Sequence, residues 1–545
     1  MEVGQGARCT TPLWGATYLG RRRTHGNWPW ITLRESVGNS VSPHRQGAAK
    51  RYGVSVTTLS HDRAPYAEAV ALNANIDWHR LSVPGHQNQP ARHPGLASLA
   101  GPRVLAVDVP PLTEGIDLKS AGTSGPTPLQ QTLDLAAEAW GARRTWFLTN
   151  GASQGNHATC MALRRFAPHM VVQRSVHSSV IDGSISAGMR LDFAFPSIDL
   201  VLGIAHGVTP DTLNTTLSEH PGGAAAYVVS PSYLGAIADI RALSEVAHRH
   251  GVPLVVDEAW GAHLGFHSSL PRSALQCGAD VVISSTHKLA GSFSQSAMLH
   301  LGHGPFADQL EPELERTMLA ISSTSPSALL LASLDLARRD LMIHSEQWMP
   351  RSVASADLAR SLIATEGRFT IPNSRIKTFP DVYALDPLKI VVDTRSGGIS
   401  GHGARDALEN VHRIHVEMST DSMVVGLVGA LSSIDSEYVA QAFAALPYED
   451  LDARPAIELP DVGPRAMDIR EAYYSETEVV PASAAVGRVS ADSIAAYPPG
   501  VPNVLPGEVF TSEVLLFLKD TATAPYGYVR GALDPTVSSV RVVTH

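Results

Sequence analysis

A chain of 545 residues is too long for one small domain and long enough for a large core with a second domain beside it. Apolar residues make up 44% and the mean hydropathy is zero, a globular composition, and no apolar run reaches the ~18 residues that a membrane span needs. The formal charge of −10 comes without a basic patch for nucleic acid and mildly favours a cationic small molecule, while Cys9, Cys160 and Cys277 lack metal-ligand spacing and read as free thiols in a reducing, cytoplasmic compartment.

Residues 1–60 are rich in Gly, Arg, Ser and Thr without sustained periodicity, and read as a disordered tail. Arg21-Arg22-Arg23 is followed by polar and aromatic residues rather than an apolar stretch, which argues against an export signal. Residues 61–125 lead into the core. Within them Pro65 to Ala74 predicts a short amphipathic helix, and Pro84-Gly85-His86 marks a turn. Asp108, Glu114 and Asp117 read as loop carboxylates.

From Thr127 the pattern becomes an alternation of helices and strands. Thr127 to Trp140 reads as a helix ended by Gly141, and Thr145 to Leu148 as a strand. The turn Thr149 to Asn156 follows, then a helix over His157 to Phe166. A strand, a Gly-rich turn and a helix start make an anion site, because free N–H groups and the helix dipole point at the ligand. A dinucleotide site is the rival, but only G-x-x-x-G is present where G-x-G-x-x-G is needed. Met170 to Gln173 is the next strand, with His177 just beyond it. Ala224 to Val229 is another, leading to Ser230-Pro231-Ser232-Tyr233-Leu234-Gly235, and Asp239 to His250 reads as a helix. This alternation predicts a mostly parallel α/β sheet flanked by helices.

Two apolar runs then end in reactive residues. Val252 to Val256 runs into Asp257, and Val281 to Ile283 into Ser284-Ser285-Thr286-His287-Lys288. Ligands of open α/β sheets sit at the carboxyl ends of strands, so Asp257 and Lys288 are expected side by side. A desolvated lysine amine can form a Schiff base with an aldehyde cofactor, and a carboxylate at the pyridine nitrogen keeps such a ring electron-withdrawing. A surface lysine with Asp257 as a helix cap is the bland alternative. His263 and His267, four apart, have zinc-like spacing but no H-E-x-x-H, and no metal is assigned. Beyond them lie Ser322 to Ser327, a helix from Ala328 to Arg338, and strands at Leu388 to Val392 and Ser422 to Leu427.

Asp257-Glu258-Ala259-Trp260-Gly261-Ala262-His263, Gly278-Ala279-Asp280 and Ser285-Thr286-His287-Lys288 together resemble the Orn/Lys/Arg decarboxylase family. A second, distant match is Tyr497-Pro498-Pro499-Gly500-Val501-Pro502 with Pro506-Gly507-Glu508. The resemblance covers about 65–543. It implies pyridoxal phosphate as cofactor on the fold type I architecture. A large mostly parallel sheet domain at 126–385 carries that cofactor, and a smaller C-terminal α/β domain occupies 386–545. It implies Lys288 as the lysine that carries the cofactor, Asp257 as the pyridine-nitrogen partner, His177 stacked on the ring, and His287 as a proton donor or phosphate contact. Ala152, Ser153 and Gln154 match the phosphate turn; Ser285, Ala259 and Trp260 border the cofactor. Thr324 belongs to a segment that reaches a partner subunit's cofactor, so a homodimer or larger homo-oligomer is implied. His86 becomes a candidate for lining the site, and Glu508 a candidate for the distal cation of a basic amino acid (lysine, ornithine or arginine). Ala152, Gln154 and Ser178 depart from the family pattern, and Trp260 stands where many biosynthetic-type members have His. Decarboxylation is the implied reaction. The same residues also suit transamination or elimination, and a non-catalytic role remains open.

Overall fold

Thr127 caps the first helix of the core. Its hydroxyl accepts the Gln130 N–H, Pro128 sits in the first turn where its missing donor costs nothing, and Gly141 ends the helix at φ +68°. The computed structural model describes residues 59–109, 126–451, 459–497, 500–524 and 526–544. Nearly all of the 1–60 tail, Cys9, Glu114, Asp117, Pro498 and Pro499 lie outside the described residues. The described helices used below are α1 (Pro65–Ala74), α2 (Pro128–Trp140), α3 (Gly151–Leu163), α4 (Ser178–Ala187), α5 (Ile240–Arg249), α6 (Thr286–Leu289), α7 (Ala307–Ile321) and α8 (Ala328–Thr365).

The main sheet has seven strands: β1 (Arg144–Leu148), β2 (His169–Gln173), β3 (Arg190–Ala194), β4 (Ala226–Val229), β5 (Leu254–Asp257), β6 (Val281–Ser284) and β7 (Ala297–Leu301). Their spatial order is β1-β7-β6-β5-β4-β2-β3. The pairs from β3 through β6 are parallel, and β7 runs antiparallel to both β6 and β1. The expected mostly parallel α/β sheet is therefore present. Its central strands β4, β5 and β6 are apolar up to their last residues because both faces are covered. Val255, Tyr227 and Ile283 pack with Ala158 of α3 and Val180 of α4. Their neighbours Val256, Val228 and Val282 pack on the opposite face with Leu243 and Val246 of α5. Each such side chain contributes roughly 1.5–3 kcal/mol on burial.

Two boundaries differ from the sequence reading. The helix expected from His157 begins at Gly151, so the Gly-rich turn is itself the first turn of α3. The helix expected over Ala328 to Arg338 runs on to Thr365, through Pro350. Its length is sustained by packing: Leu334, Leu341, Met349, Ala356 and Ile363 all enter one core with a second, smaller sheet. That sheet has β8 (Lys389–Asp393), β9 (Met418–Ser419) and β10 (Met423–Leu427) in the antiparallel order β8-β10-β9. Cys160 and Cys277 are free thiols, and among the described residues no helix is long and apolar enough to cross a membrane.

Candidate active site

β5 and β6 are neighbours in parallel register, with Asp257 opposite Ile283. Asp257 ends β5, and β6 gives way at Ser285 to the short helix α6 that carries His287 and Lys288. The start of α3 lies near the same strand ends. Together they border a cavity of about 240 Å³. Gly151, Ala152, Ser153, His177, Asp257, Ala259, Trp260, Ser285, His287 and Lys288 all line it. Glycine is required at Gly155 in α3: an added Cβ would lie 2.9 Å from the Leu148 side chain and 3.0 Å from that of Ile283, so the helix packs close against β1 and β6.

Lys288 is largely buried, and burial lowers its amine pKa, opposed by Asp257 and Glu417. Its Nζ lies 3.8 Å from the centre of the Trp260 ring. Asp257 is held on both oxygens. Oδ1 accepts the Ala259 N–H at 3.1 Å, and Oδ2 accepts from Asn156 Nδ2 at 3.1 Å. Asn156 also donates to Ser179 Oγ (2.8 Å) and accepts from Tyr227 OH (2.8 Å). Ser179 Oγ in turn lies 2.8 Å from His177 Nδ1, which also accepts the Ser179 N–H at 3.2 Å. Accepting that N–H puts the neutral ring's proton on Nε2. One buried chain of hydrogen bonds thus runs from Tyr227 through Asn156 to both Asp257 and His177. Burial lowers the His177 pKa; Asp257 opposes this, while Arg530 and Lys288 add to it.

His287 is oriented differently. Its Nδ1 donates to the Ser296 carbonyl at 2.8 Å, which leaves the lone pair of the neutral ring on Nε2. The C-terminal part of the chain closes the cavity with Tyr497 and Gly500, so the second motif meets the first in space.

Three expectations fare otherwise, those for Gln154, Glu508 and His86. Gln154 does not line the cavity: its Oε1 accepts the Asn150 N–H (3.2 Å) and its Nε2 donates to Ser322 Oγ (3.0 Å), tying α3 to the end of α7. Glu508 is not free for a substrate cation. Its two oxygens accept from Arg174 at 2.6 and 2.8 Å and one also takes the Leu505 N–H, all buried. A fully buried Arg174 needs a fixed anion, and Glu508 supplies it. His86 also lies away from the cavity lining, with Nε2 3.2 Å from Asp108 Oδ2. Thr324 is exposed and outside the cavity of its own chain. Of the zinc-spaced pair, His263 contacts Asp386 (3.2 Å) and His267 contacts Glu346 (3.5 Å). Sequence reasoning assigned no role to Asn156, Ser179 or Tyr227. Asn156 was accessible, since it lies three residues after Ser153 on the same helix face. Ser179 and Tyr227 carry no spacing signal.

These residues fit pyridoxal phosphate. A buried amine of lowered pKa, a fixed carboxylate, an imidazole and the N–H groups of a helix start border one small cavity. The chain matches the family model described as Orn/Lys/Arg decarboxylase, major domain, over residues 64–425, and the model of that family's C-terminal domain over 460–525. An arginine decarboxylase of Bacillus anthracis is 31% identical over 498 residues, 89% of this chain and 98% of that protein. The arginine decarboxylase of Bacillus subtilis is also 31% identical, over 89% of this chain and 99% of its own. The solved lysine decarboxylase A of Pseudomonas aeruginosa shares the fold, with a TM-score of 0.72 at 20% identity over 88% of this chain and 80% of that one. With both family models matched, the chain belongs to the Orn/Lys/Arg decarboxylase family: it is a fold type I amino-acid carboxy-lyase whose cofactor is pyridoxal phosphate.

Proposed function

We propose that this enzyme decarboxylates arginine, releasing CO2 and agmatine. The observation that carries the choice of substrate is the likeness to relatives named arginine decarboxylase, which extends over 98–99% of their length. Bound pyridoxal phosphate supplies the electron sink for the pair left behind as the carboxylate departs. The chain's own residues do the rest. Lys288 would hold the cofactor through its amine. Asp257, fixed by Asn156 and the Ala259 N–H, would hold the pyridine nitrogen of the cofactor. His177, held by Ser179, would support the cofactor ring. Ala152, Ser153 and Ser285 would hold the phosphate, where the start of α3 favours an anion. Nε2 of His287 moves the proton to and from the reacting carbon.

The working unit is a homodimer in this reading, with the exposed Thr324 segment serving the neighbouring copy's cofactor rather than its own. The cytoplasm is its proposed location. The test is a substrate panel of arginine, lysine and ornithine, scored for CO2 together with agmatine, cadaverine and putrescine. Arginine should give the highest kcat/KM. A tenfold preference for lysine or ornithine overturns the substrate assignment, and a monomeric active enzyme by sedimentation overturns the dimer.

A further inference from the structure

Lys389 opens β8 and is 2% exposed, yet its Nζ has no hydrogen-bond partner among the described residues. Burying an ammonium without such bonds is expensive. What Nζ has instead is the Trp260 ring, whose centre lies 3.6 Å away. Lys288 Nζ lies over the same ring at 3.8 Å. One indole therefore carries two amines, one from α6 and one from β8. The approach is cleared by Gly235: at φ +81°, it has no Cβ, and one placed there would lie 2.7 Å from Lys389 Cγ and 3.1 Å from Asp386 Cβ. The peptide of Lys389 is pinned as well, its N–H to Asp386 O and its carbonyl by Arg360. Lys389 does not line the cavity, so it acts on the site through Trp260.

We propose that Lys389 is a positioning residue, whose ammonium holds the Trp260 ring against Lys288 and whose charge disfavours a second positive charge on that lysine. This rests on the reading of Lys288 as the lysine that holds the cofactor. The charged groups that act on Lys389 are Asp386, Glu417 and Lys288; Asp386 already contacts His263, and Glu417 is exposed. Burial pushes the Lys389 pKa down to about 8, Asp386 and Glu417 oppose this, and Lys288 adds to it. The two amines meet through the Trp260 ring, which both contact, and the repulsion between them is felt at Lys389.

The test compares the cofactor-loaded wild type with Lys389→Met, which keeps the stem and drops the charge, and Lys389→Arg, which restores it. The visible absorbance of the bound cofactor is titrated with pH in the absence of substrate. Lys389→Met should move its midpoint upward by at least half a pH unit and lower kcat at least fivefold while KM changes less than twofold. Lys389→Arg should return both to within twofold of wild type. Lys389→Gln carries the same expectations as Lys389→Met should the latter not fold. A folded neutral variant with wild-type midpoint and kcat overturns the proposal, and so does an arginine variant as impaired as the methionine one. Borohydride trapping and peptide mapping are read separately. Cofactor found on a lysine other than Lys288 overturns the site reading and this inference together. Cofactor on Lys288 with an unmoved midpoint overturns this inference alone.

Discussion

Asn156→Ala removes the amide that joins Asp257 to His177. Asn156 is 1% exposed and donates to the Asp257 carboxylate at 3.1 Å, while Asp257 keeps one other donor, the Ala259 N–H. A hydrogen bond to a charged group contributes about 1.5–3 kcal/mol, which corresponds to a loss of roughly ten- to hundredfold in cofactor affinity. The fully buried Tyr227 hydroxyl loses its acceptor at the same time, costing about 1–3 kcal/mol of stability. Titrating apo-protein with pyridoxal phosphate measures the first effect, and thermal unfolding of the apo-protein measures the second. Asn156→Asp separates geometry from charge. It restores an acceptor for Tyr227 but sets a carboxylate against Asp257, so cofactor affinity should fall below that of the alanine variant. The reasoning is refuted if Asn156→Ala binds cofactor and turns over within twofold of wild type, or if Asn156→Asp binds as tightly as wild type.

Lys288→Ala should leave the far-ultraviolet circular dichroism unchanged and abolish turnover; decarboxylation at the normal rate would remove Lys288 from its role. Glu508→Gln leaves Arg174 buried with a neutral partner and should lower stability by about 3 kcal/mol or more, with KM altered less than twofold; a tenfold rise in KM at unchanged unfolding temperature would instead return Glu508 to substrate binding. His300 is buried between Thr145 Oγ1 (2.9 Å) and Ser284 Oγ (3.2 Å), stacks on Trp140, and burial pushes its pKa down to about 3. Because the unfolded ring takes its proton near pH 6.5 and the folded ring does not, stability falls as pH drops from 6.5 towards 3, by roughly 1.4 kcal/mol per unit. In His300→Asn the proton uptake on unfolding at pH 5, from the slope of stability against pH, should be smaller by about one; an unchanged slope would show that the buried ring is protonated in the fold.

The two apolar runs ending at Asp257 and at Ser285 to Lys288 were legible because a strand covered on both faces must be apolar throughout and must stop where its polar residues reach the ligand end. The family wording carried the cofactor and the reaction on the same residues. Boundaries were less legible. The start of α3 was read six residues late because the Gly-rich segment has weak helix propensity, and contact with β1 and β6 makes it helical. Local sequence alone determined the strand-helix alternation, the helix caps and the chemically capable residue types. Tertiary structure alone decided their partners. It gave Glu508 to Arg174, 334 positions away in sequence, and turned Gln154 towards Ser322. It joined Asn156, Ser179 and Tyr227 into one chain and set Lys288 and Lys389 over the same Trp260 ring. A hydrogen-bond donor or a charge can be read from one residue, but what satisfies it once water is excluded depends on which distant segments the fold packs around it.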